Sequence, residues 1–170
     1  LHEFAYVFAD KSLDRWKLEI RGNGAMRQQI FHLSESCERI SVGLPLPEVQ
    51  YVSCLLSCTA CLITQPHDGG DSFFASKILP ALAAGTPVLV VGDTQTPLAC
   101  FVRDLAIGEV VELSLNALQD VLEKWEQNPA LLESYSSNAL KLSKDYTREK
   151  VLDRYRRLIE SKYHDERSMV

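Results

Sequence analysis

The clearest chemistry in this sequence lies in a short polar segment that leads into a helix, around Ser76 and Lys77. The first turn of a helix presents unpaired backbone N–H groups and the positive end of the helix dipole, which together attract phosphate. Ser76 is the predicted cap of this helix, and Lys77 would place an ammonium group at the same end. Pro80 fits a start near Ser76, because proline is tolerated in the first turn of a helix and disrupts its interior. The segment therefore predicts an anion-binding site.

Three cysteines, Cys54, Cys58 and Cys61, have the spacing of thiolates that hold an iron–sulfur cluster. Such a cluster needs thiolates that project freely into one space. Here the cysteines lie in an apolar helix that runs into a strand, so we expect buried core thiols and no metal site. The total of five cysteines is odd and fits a reduced, cytoplasmic protein.

Two glycines, Gly22 and Gly24, follow a predicted strand and precede a helix, as in a dinucleotide-binding fingerprint. Arg27 stands where the third glycine of that fingerprint would be, which argues against NAD binding. We interpret this segment as a turn at the edge of the site.

Length, net charge and apolar content argue against two classes of protein, general nucleic-acid binders and membrane-spanning proteins. The 170 residues fit one domain, and the net charge of −5 argues against general binding of nucleic acid. No apolar run approaches the ~20 residues of a membrane span. We expect a domain over residues 1–163, a frayed tail over 164–170, and a longer parent protein, because the N-terminus reads as the inside of a helix.

Short apolar strands alternate with helices along the chain, which predicts a parallel sheet covered on both faces and a helical C-terminus. Ligands of such sheets bind beyond the carboxyl ends of the strands. We expect four loops to form one crevice there: 21–24, 43–47, 65–76 and 92–96. The last helix is basic. We interpret it as solvated, and contact with another domain or a membrane surface would also suit it.

The order of elements, and the sequence from Ser76 to Val88 in particular, resembles the C-terminal, donor-binding half of GT-B glycosyltransferases of group 1, or family 4. The segment from Asp71 to Lys77 is closest to colanic-acid and related exopolysaccharide enzymes. In those enzymes a Pro-Ser-Lys commonly stands where Ala75, Ser76 and Lys77 stand here. The resemblance covers about residues 16–160 and implies a Rossmann-like α/β domain that is one half of a GT-B fold.

The resemblance also implies a site. Lys77 would stabilise the diphosphate leaving group of a UDP- or GDP-sugar. The other contacts that the resemblance implies are Gly43, Leu44 and Pro45 at the base, Phe74, Ala75 and Ser76 at the diphosphate, and Asp68, Gly69, Gly70, Asp71 and Ser72 at the sugar. Apart from the resemblance, we expect Gly22 and Gly24 at the edge of the crevice and a contact from His67 to a sugar or phosphate.

Two departures from the family pattern stand out. The family often carries two glutamates eight positions apart, of which the second binds ribose, and Ser72 and Pro80 occupy those positions here. The family's diphosphate-gripping Arg/Lys pair and its acceptor-binding half would precede Leu1.

The activity implied by the resemblance is retaining hexosyl transfer to a polysaccharide or lipid-linked acceptor, without a bound metal or cofactor, in the cytoplasm or at the inner face of the cell membrane. The partners implied are the nucleotide sugar and the acceptor-binding domain, and we expect this portion alone to be inactive. Two alternatives stay open: a GT-B sugar-nucleotide epimerase, and a non-catalytic GT-B-like binding domain.

Overall fold

The computed structural model describes residues 1–65 and 75–167, and side chains through residue 160. In these ranges short parallel strands alternate with helices, as the sequence predicts. The strands are β1 (Leu18–Arg21), β2 (Ile40–Gly43), β3 (Cys61–Thr64), β4 (Val88–Val91) and β5 (Gly108–Val111). The helices are α1 (His2–Phe8), α2 (Arg27–Ser36), α3 (Glu48–Ser57), α4 (Ile78–Ala84), α5 (Pro97–Asp104), α6 (Leu115–Gln127), α7 (Pro129–Ser143) and α8 (Arg148–Arg167). A 3-10 turn over Lys11–Leu13, which the sequence did not predict, follows α1.

The strands form two parallel groups rather than one continuous sheet. β1 pairs with β2, with Leu18 opposite Ile40. β4 lies between β3 and β5 and pairs in parallel with both. The predicted strand direction is thus confirmed, whereas the predicted single sheet is divided between β1 and β3.

The side chains of β4 show that helices cover both faces. Leu89 and Val91 belong to an apolar cluster that includes α1 and α6, with the buried Trp125 among its members. Val88 and Val90, which point the other way because side chains alternate along a strand, join a second cluster with residues of α4 and α5. The predicted α/β fold is therefore confirmed.

One arginine holds the first helix to the sheet. The guanidinium of Arg39 donates hydrogen bonds to the carbonyl oxygens of Phe8, Ala9, Asp10 and Leu13, at 2.6–3.3 Å. These carbonyls lie at the end of α1 and in the turn that follows, where helical partners run out. Arg39 comes directly before β2, so this contact fixes α1 beside the strand pair.

The ends of the C-terminal helices follow the sequence closely. Ser114 caps α6 by accepting a hydrogen bond from the Ala117 amide, and Pro129 opens α7. α8, the basic last helix, continues to Arg167. Across the described ranges, no helix has the length and apolar character needed to cross a bilayer.

Candidate functional site

A cavity of about 570 Å³ opens at the carboxyl ends of the strands. We call it the edge cavity. Its walls include Arg21 and Gly22 after β1, Gln65 after β3 and Gly92 after β4. Loops at this edge of a parallel sheet are where α/β domains bind ligands. The structure thus brings parts of three of the four predicted loops together, and the loop over 43–47 does not line the cavity.

Three cationic side chains line the edge cavity: Arg21, Arg27 and Lys77. The one carboxylate among the described lining residues is Glu3. Arg21 is already paired, because its Nε and Nη2 both lie 2.6 Å from Glu19 Oε1. The excess of positive charge therefore comes from Arg27 and Lys77, and it favours an anionic ligand.

Arg27 is the first residue of α2 and is half-buried. Its Nε atom is buried and has no hydrogen-bond partner within the described parts of the chain. An unpaired N–H of a charged group is costly to bury, and Arg27 is also one of the lining residues of the edge cavity. Arg27 is thus the residue at this site with the clearest unmet need for an acceptor.

Lys77 immediately precedes α4, which begins at Ile78. The predicted capping role of Ser76 is wrong, since no side chain caps this helix and Ser76 lies exposed in the turn before it. The chain turns here through backbone bonds instead, from the Ile78 amide to the Ala75 carbonyl and from the Leu79 amide to the Ser76 carbonyl. The helix start is confirmed to within two residues, and Pro80 falls in the first turn as expected.

Backbone at the cavity rim is open in two places and tightly fixed in a third. A Cβ added to Gly22 or Gly24 would meet nothing within 4 Å, so the chain leaves free space beside both. Gly92 has a φ of +146°, and a Cβ there would lie 2.9 Å from the Gln65 carbonyl oxygen. Gly92 is therefore required where β3 and β4 end side by side.

Gln65 is held at the rim by the helix that follows β4. The Thr96 hydroxyl donates to Gln65 Oε1 at 2.7 Å, and the same oxygen of Thr96 accepts from the Ala99 amide to cap α5. The Gln65 amide group is thus oriented by a buried threonine.

The predicted base-binding residues lie apart from the edge cavity. Gly43 ends β2 opposite Arg21, and a Cβ at Gly43 would overlap the Arg21 guanidinium. Leu44 and Pro45 are exposed. Ala75 is buried in the second apolar cluster. The predicted contacts His67, Asp68, Gly69, Gly70, Asp71, Ser72 and Phe74 lie outside the described residues.

Cys54, Cys58 and Cys61 were predicted to be buried core thiols, and this prediction is wrong. Cys58 is exposed, and Cys54 and Cys61 are half-buried. Burial raises the pKa of the Cys61 thiol to about 11, the neighbouring Cys58 raises it as well, and the Lys77 ammonium lowers it. Burial also raises the pKa of Cys54, with a contribution from Glu19 on β1.

Burial disfavours the thiolate form of Cys54, Cys58 and Cys61 and so raises the pKa of each, and the thiolate is the form that binds a metal. Among the residues that the structure describes, no three His, Cys, Asp or Glu side chains are grouped so as to hold a metal ion.

Sequence reasoning missed Arg21 and Arg27 as site residues. Arg27 was noted as a misfit in a glycine fingerprint, and its charge at the start of a helix was the signal for an anion-binding role. Arg21, as the last residue of a strand, carried the same signal because carboxyl ends of strands border the site.

Comparison with known proteins supports the fold. The sequence matches no family model and no curated protein. Among solved structures, the chain is similar to WaaG, a glycosyltransferase involved in lipopolysaccharide biosynthesis, with a TM-score of 0.63 and 19% sequence identity over 84% of this chain. It spans 38% of the WaaG chain. The chain therefore shares its fold with part of a glycosyltransferase.

Proposed function

We propose that this chain is the donor-binding portion of a GT-B glycosyltransferase and binds the diphosphate of a nucleotide sugar in the edge cavity. The observation that carries the proposal is a cavity at the carboxyl ends of parallel strands whose lining includes both Lys77 and Arg27, and the Arg27 Nε has no hydrogen-bond partner among the described residues. The family resemblance of the Ser76–Val88 sequence and the structural likeness to a glycosyltransferase support the same reading.

In this proposal Arg27 and Lys77 both bind the diphosphate, each with a different kind of donor. Arg27 offers a fixed N–H donor from the first turn of α2, whereas Lys77 offers a mobile ammonium before α4. Arg21 at the rim is paired with Glu19, so the excess positive charge of the site comes from Arg27 and Lys77.

A Cβ added at Gly22 or Gly24 would meet nothing within 4 Å, so the chain borders free space at both. The Gly24 amide is the proposed backbone donor to a phosphate oxygen, because the Gly22 amide already donates to the Gly43 carbonyl.

The proposed catalytic effect depends on the negative charge that develops on the diphosphate during sugar transfer. As the bond between sugar and diphosphate breaks, negative charge grows on the departing diphosphate, and donors already aimed at it lower the barrier. Lys77 is the proposed leaving-group stabiliser. Several finer proposals rest on the family resemblance alone. They are retention of the anomeric configuration, a UDP- or GDP-sugar as the donor, and an exopolysaccharide-type acceptor. The cytoplasmic location and the neighbouring acceptor-binding domain are proposed on the same ground.

Calorimetric titration of the chain with UDP, GDP and their hexose conjugates tests the proposal. Saturable binding is expected for one base, and Lys77→Ala is expected to weaken it roughly 10- to 100-fold, because a charge-assisted hydrogen bond contributes about 1.5–3 kcal/mol. Arg27→Ala should weaken it to a similar extent.

Lys141→Ala is the matched control, since Lys141 is exposed on α7 and does not line the edge cavity. Its binding should equal that of the unmodified chain. Absence of saturable binding, or equal losses in Lys77→Ala and Lys141→Ala, would contradict the proposal.

A non-catalytic binding domain is the second candidate. Pro80 favours it, because this half-buried residue of α4 offers no carboxylate where the related enzymes bind ribose. Under this candidate the nucleotide titration shows no binding although the chain is folded.

A further inference from the structure

The side-chain amide of Gln65, directly after β3, is held in one orientation by Thr96. The Thr96 hydroxyl donates a hydrogen bond to Gln65 Oε1 at 2.7 Å. Its oxygen accepts from the Ala99 amide at 3.2 Å, and the other acceptor near the hydroxyl, the Asp93 carbonyl oxygen, is farther away at 3.4 Å. Thr96 is only 8% exposed, so water competes little for the contact with Gln65. The oxygen end of the Gln65 amide is therefore occupied.

The nitrogen end of the same amide is unused. Gln65 Nε2 carries two N–H donors, and neither meets a hydrogen-bond acceptor in the described parts of the chain. Gln65 is half-buried and lines the edge cavity, whereas the buried Thr96 does not line it. The nitrogen is thus the polar side-chain atom that Gln65 has left for a ligand in the cavity.

The backbone of Gln65 is fixed as well. Its amide donates to the Val91 carbonyl oxygen at 2.9 Å, which extends the pairing of β3 with β4 by one residue. Gly92 lies close beside it, since a Cβ there would be 3.1 Å from Gln65 Cβ. A donor that is already held at its backbone and its side chain loses little conformational freedom when it binds a ligand.

We propose that Gln65 is a specificity-determining residue that donates a hydrogen bond from Nε2 to a phosphoryl oxygen of the bound diphosphate, and that Thr96 positions it. This contact rests on the proposed function, because it belongs to the same site. A free glutamine amide can turn over and offer its oxygen to a hydroxyl group of a ligand. The Thr96 hydrogen bond prevents that exchange, so the site presents a donor and selects an acceptor.

The cations of the edge cavity favour phosphate as that acceptor. Lys77 and Arg27 line the same cavity and attract negative charge to it. A diphosphate has more acceptor oxygens than two cationic side chains satisfy. An N–H group also forms a stronger hydrogen bond with a charged oxygen than with a neutral hydroxyl group.

Calorimetric titration of four versions of the chain tests the proposal: the unmodified chain, Gln65→Met, Thr96→Val, and the two changes together. The ligand is whichever of UDP and GDP binds the unmodified chain. Methionine is close to glutamine in size and has no N–H group, so Gln65→Met should weaken binding roughly tenfold. Thr96→Val should weaken it about threefold to tenfold, because the ligand must then order the released amide. With methionine at position 65, Thr96→Val should cause no further loss.

Two matched controls accompany these variants. Gln95→Met makes the same chemical change at an exposed glutamine next to Thr96 that does not line the edge cavity, and its binding should equal that of the unmodified chain. Thr96→Ser keeps a hydroxyl that can cap α5 and donate to Gln65, so it should also bind normally. An equal loss from Thr96→Val with and without Gln65 would show that Thr96 acts through α5, and would overturn its positioning role.

The failure of this contact differs from the failure of the proposed function. Binding of neither diphosphate by the unmodified chain would overturn both. Binding that Gln65→Met leaves unchanged would overturn the Gln65 contact alone. If Gln65→Met weakened binding of the hexose conjugate and not of the diphosphate itself, the donor would contact the sugar, and the assignment to phosphate would be wrong.

NMR of the unmodified chain provides a measurement that needs no variant to fold. The side-chain ¹H–¹⁵N resonances of Gln65 should shift saturably as the diphosphate is added, and those of Gln95 should stay in place. Saturable binding without a shift at the Gln65 side chain would overturn the proposed contact.

Discussion

At the scale of single residues, the pKa of the Cys61 thiol depends on the nearby charge of Lys77. Burial raises the pKa of the Cys61 thiol from its ordinary value near 9 to about 11, and Lys77 opposes that shift. Because the thiolate is the reactive form, Cys61 should alkylate about a hundredfold more slowly near pH 8 than an unshifted thiol of equal access. The rate, followed by peptide mass spectrometry, should rise steeply only as the pH approaches 11.

Replacing Lys77 distinguishes the effect of its charge on the Cys61 thiol from the effect of limited access of the reagent to that thiol. Lys77→Met should move the rise in the Cys61 alkylation rate to still higher pH, and Lys141→Met should leave it in place. The folded thiol keeps its proton at pH values where the unfolded thiol loses it, so stability should fall as pH rises from about 9 to about 11. An alkylation profile centred near 9, insensitive to Lys77, would show that Lys77 does not lie beside Cys61.

At the residue scale, the sequence predicted Lys77 as a site residue but did not predict Arg27. The Ser76–Lys77 pattern predicted a cation next to a helix start, which the structure confirms at Ile78. The unpaired Arg27 Nε depends on how α2 packs against the strands, and local sequence carries no information about that contact.

The end of α4 provides a test at the scale of elements. Gly85 follows the helix with a φ of +69°, and a Cβ there would lie 2.8 Å from Leu140 Cγ on α7. Gly85→Ala should reduce the free energy of unfolding by about 1–2 kcal/mol, chiefly through the left-handed backbone, because the exposed Leu140 side chain can shift. Urea denaturation measures this change.

Ala83→Ser is the control on the same helix. Ala83 is exposed, and serine there should lower stability by no more than about 0.5 kcal/mol. If both variants lost the same stability, the left-handed conformation assigned to Gly85 would be wrong.

The elements themselves were largely predictable. Cys61–Thr64 and Gly108–Val111 are strands in the structure, as short apolar runs of this kind predict. Proline and glycine marked the ends of α4, α5 and α7. The 3-10 turn over Lys11–Leu13 was not predicted, although Asp10 caps it locally by accepting a hydrogen bond from the Ser12 amide. Arg39, from a distant part of the chain, adds a bond to the Leu13 carbonyl.

At the scale of the whole molecule, the division of the sheet connects the fold to the site. Alternating strands and helices predicted parallel strands with helices on both faces, which the structure confirms. Apolar runs do not encode which strands are neighbours, so the gap between β1 and β3 became visible only in three dimensions. Residues of the two strand edges that are unpaired in the described parts of the chain, Arg21 of β1 and Thr64 of β3, line the same cavity as Arg27 and Lys77.

The most direct test of the central claim is a ¹⁵N–¹H NMR titration of the chain with UDP and GDP, observing the Arg27 Nε–H resonance together with the backbone amides. One of the two diphosphates is expected to produce saturable shifts of that resonance and of the Gly22, Gly24 and Lys77 amides. The corresponding nucleoside without phosphate should leave the Arg27 resonance unchanged. Saturable shifts that leave Arg27 and Lys77 unaffected, or no shifts with either diphosphate, would contradict a diphosphate site in the edge cavity.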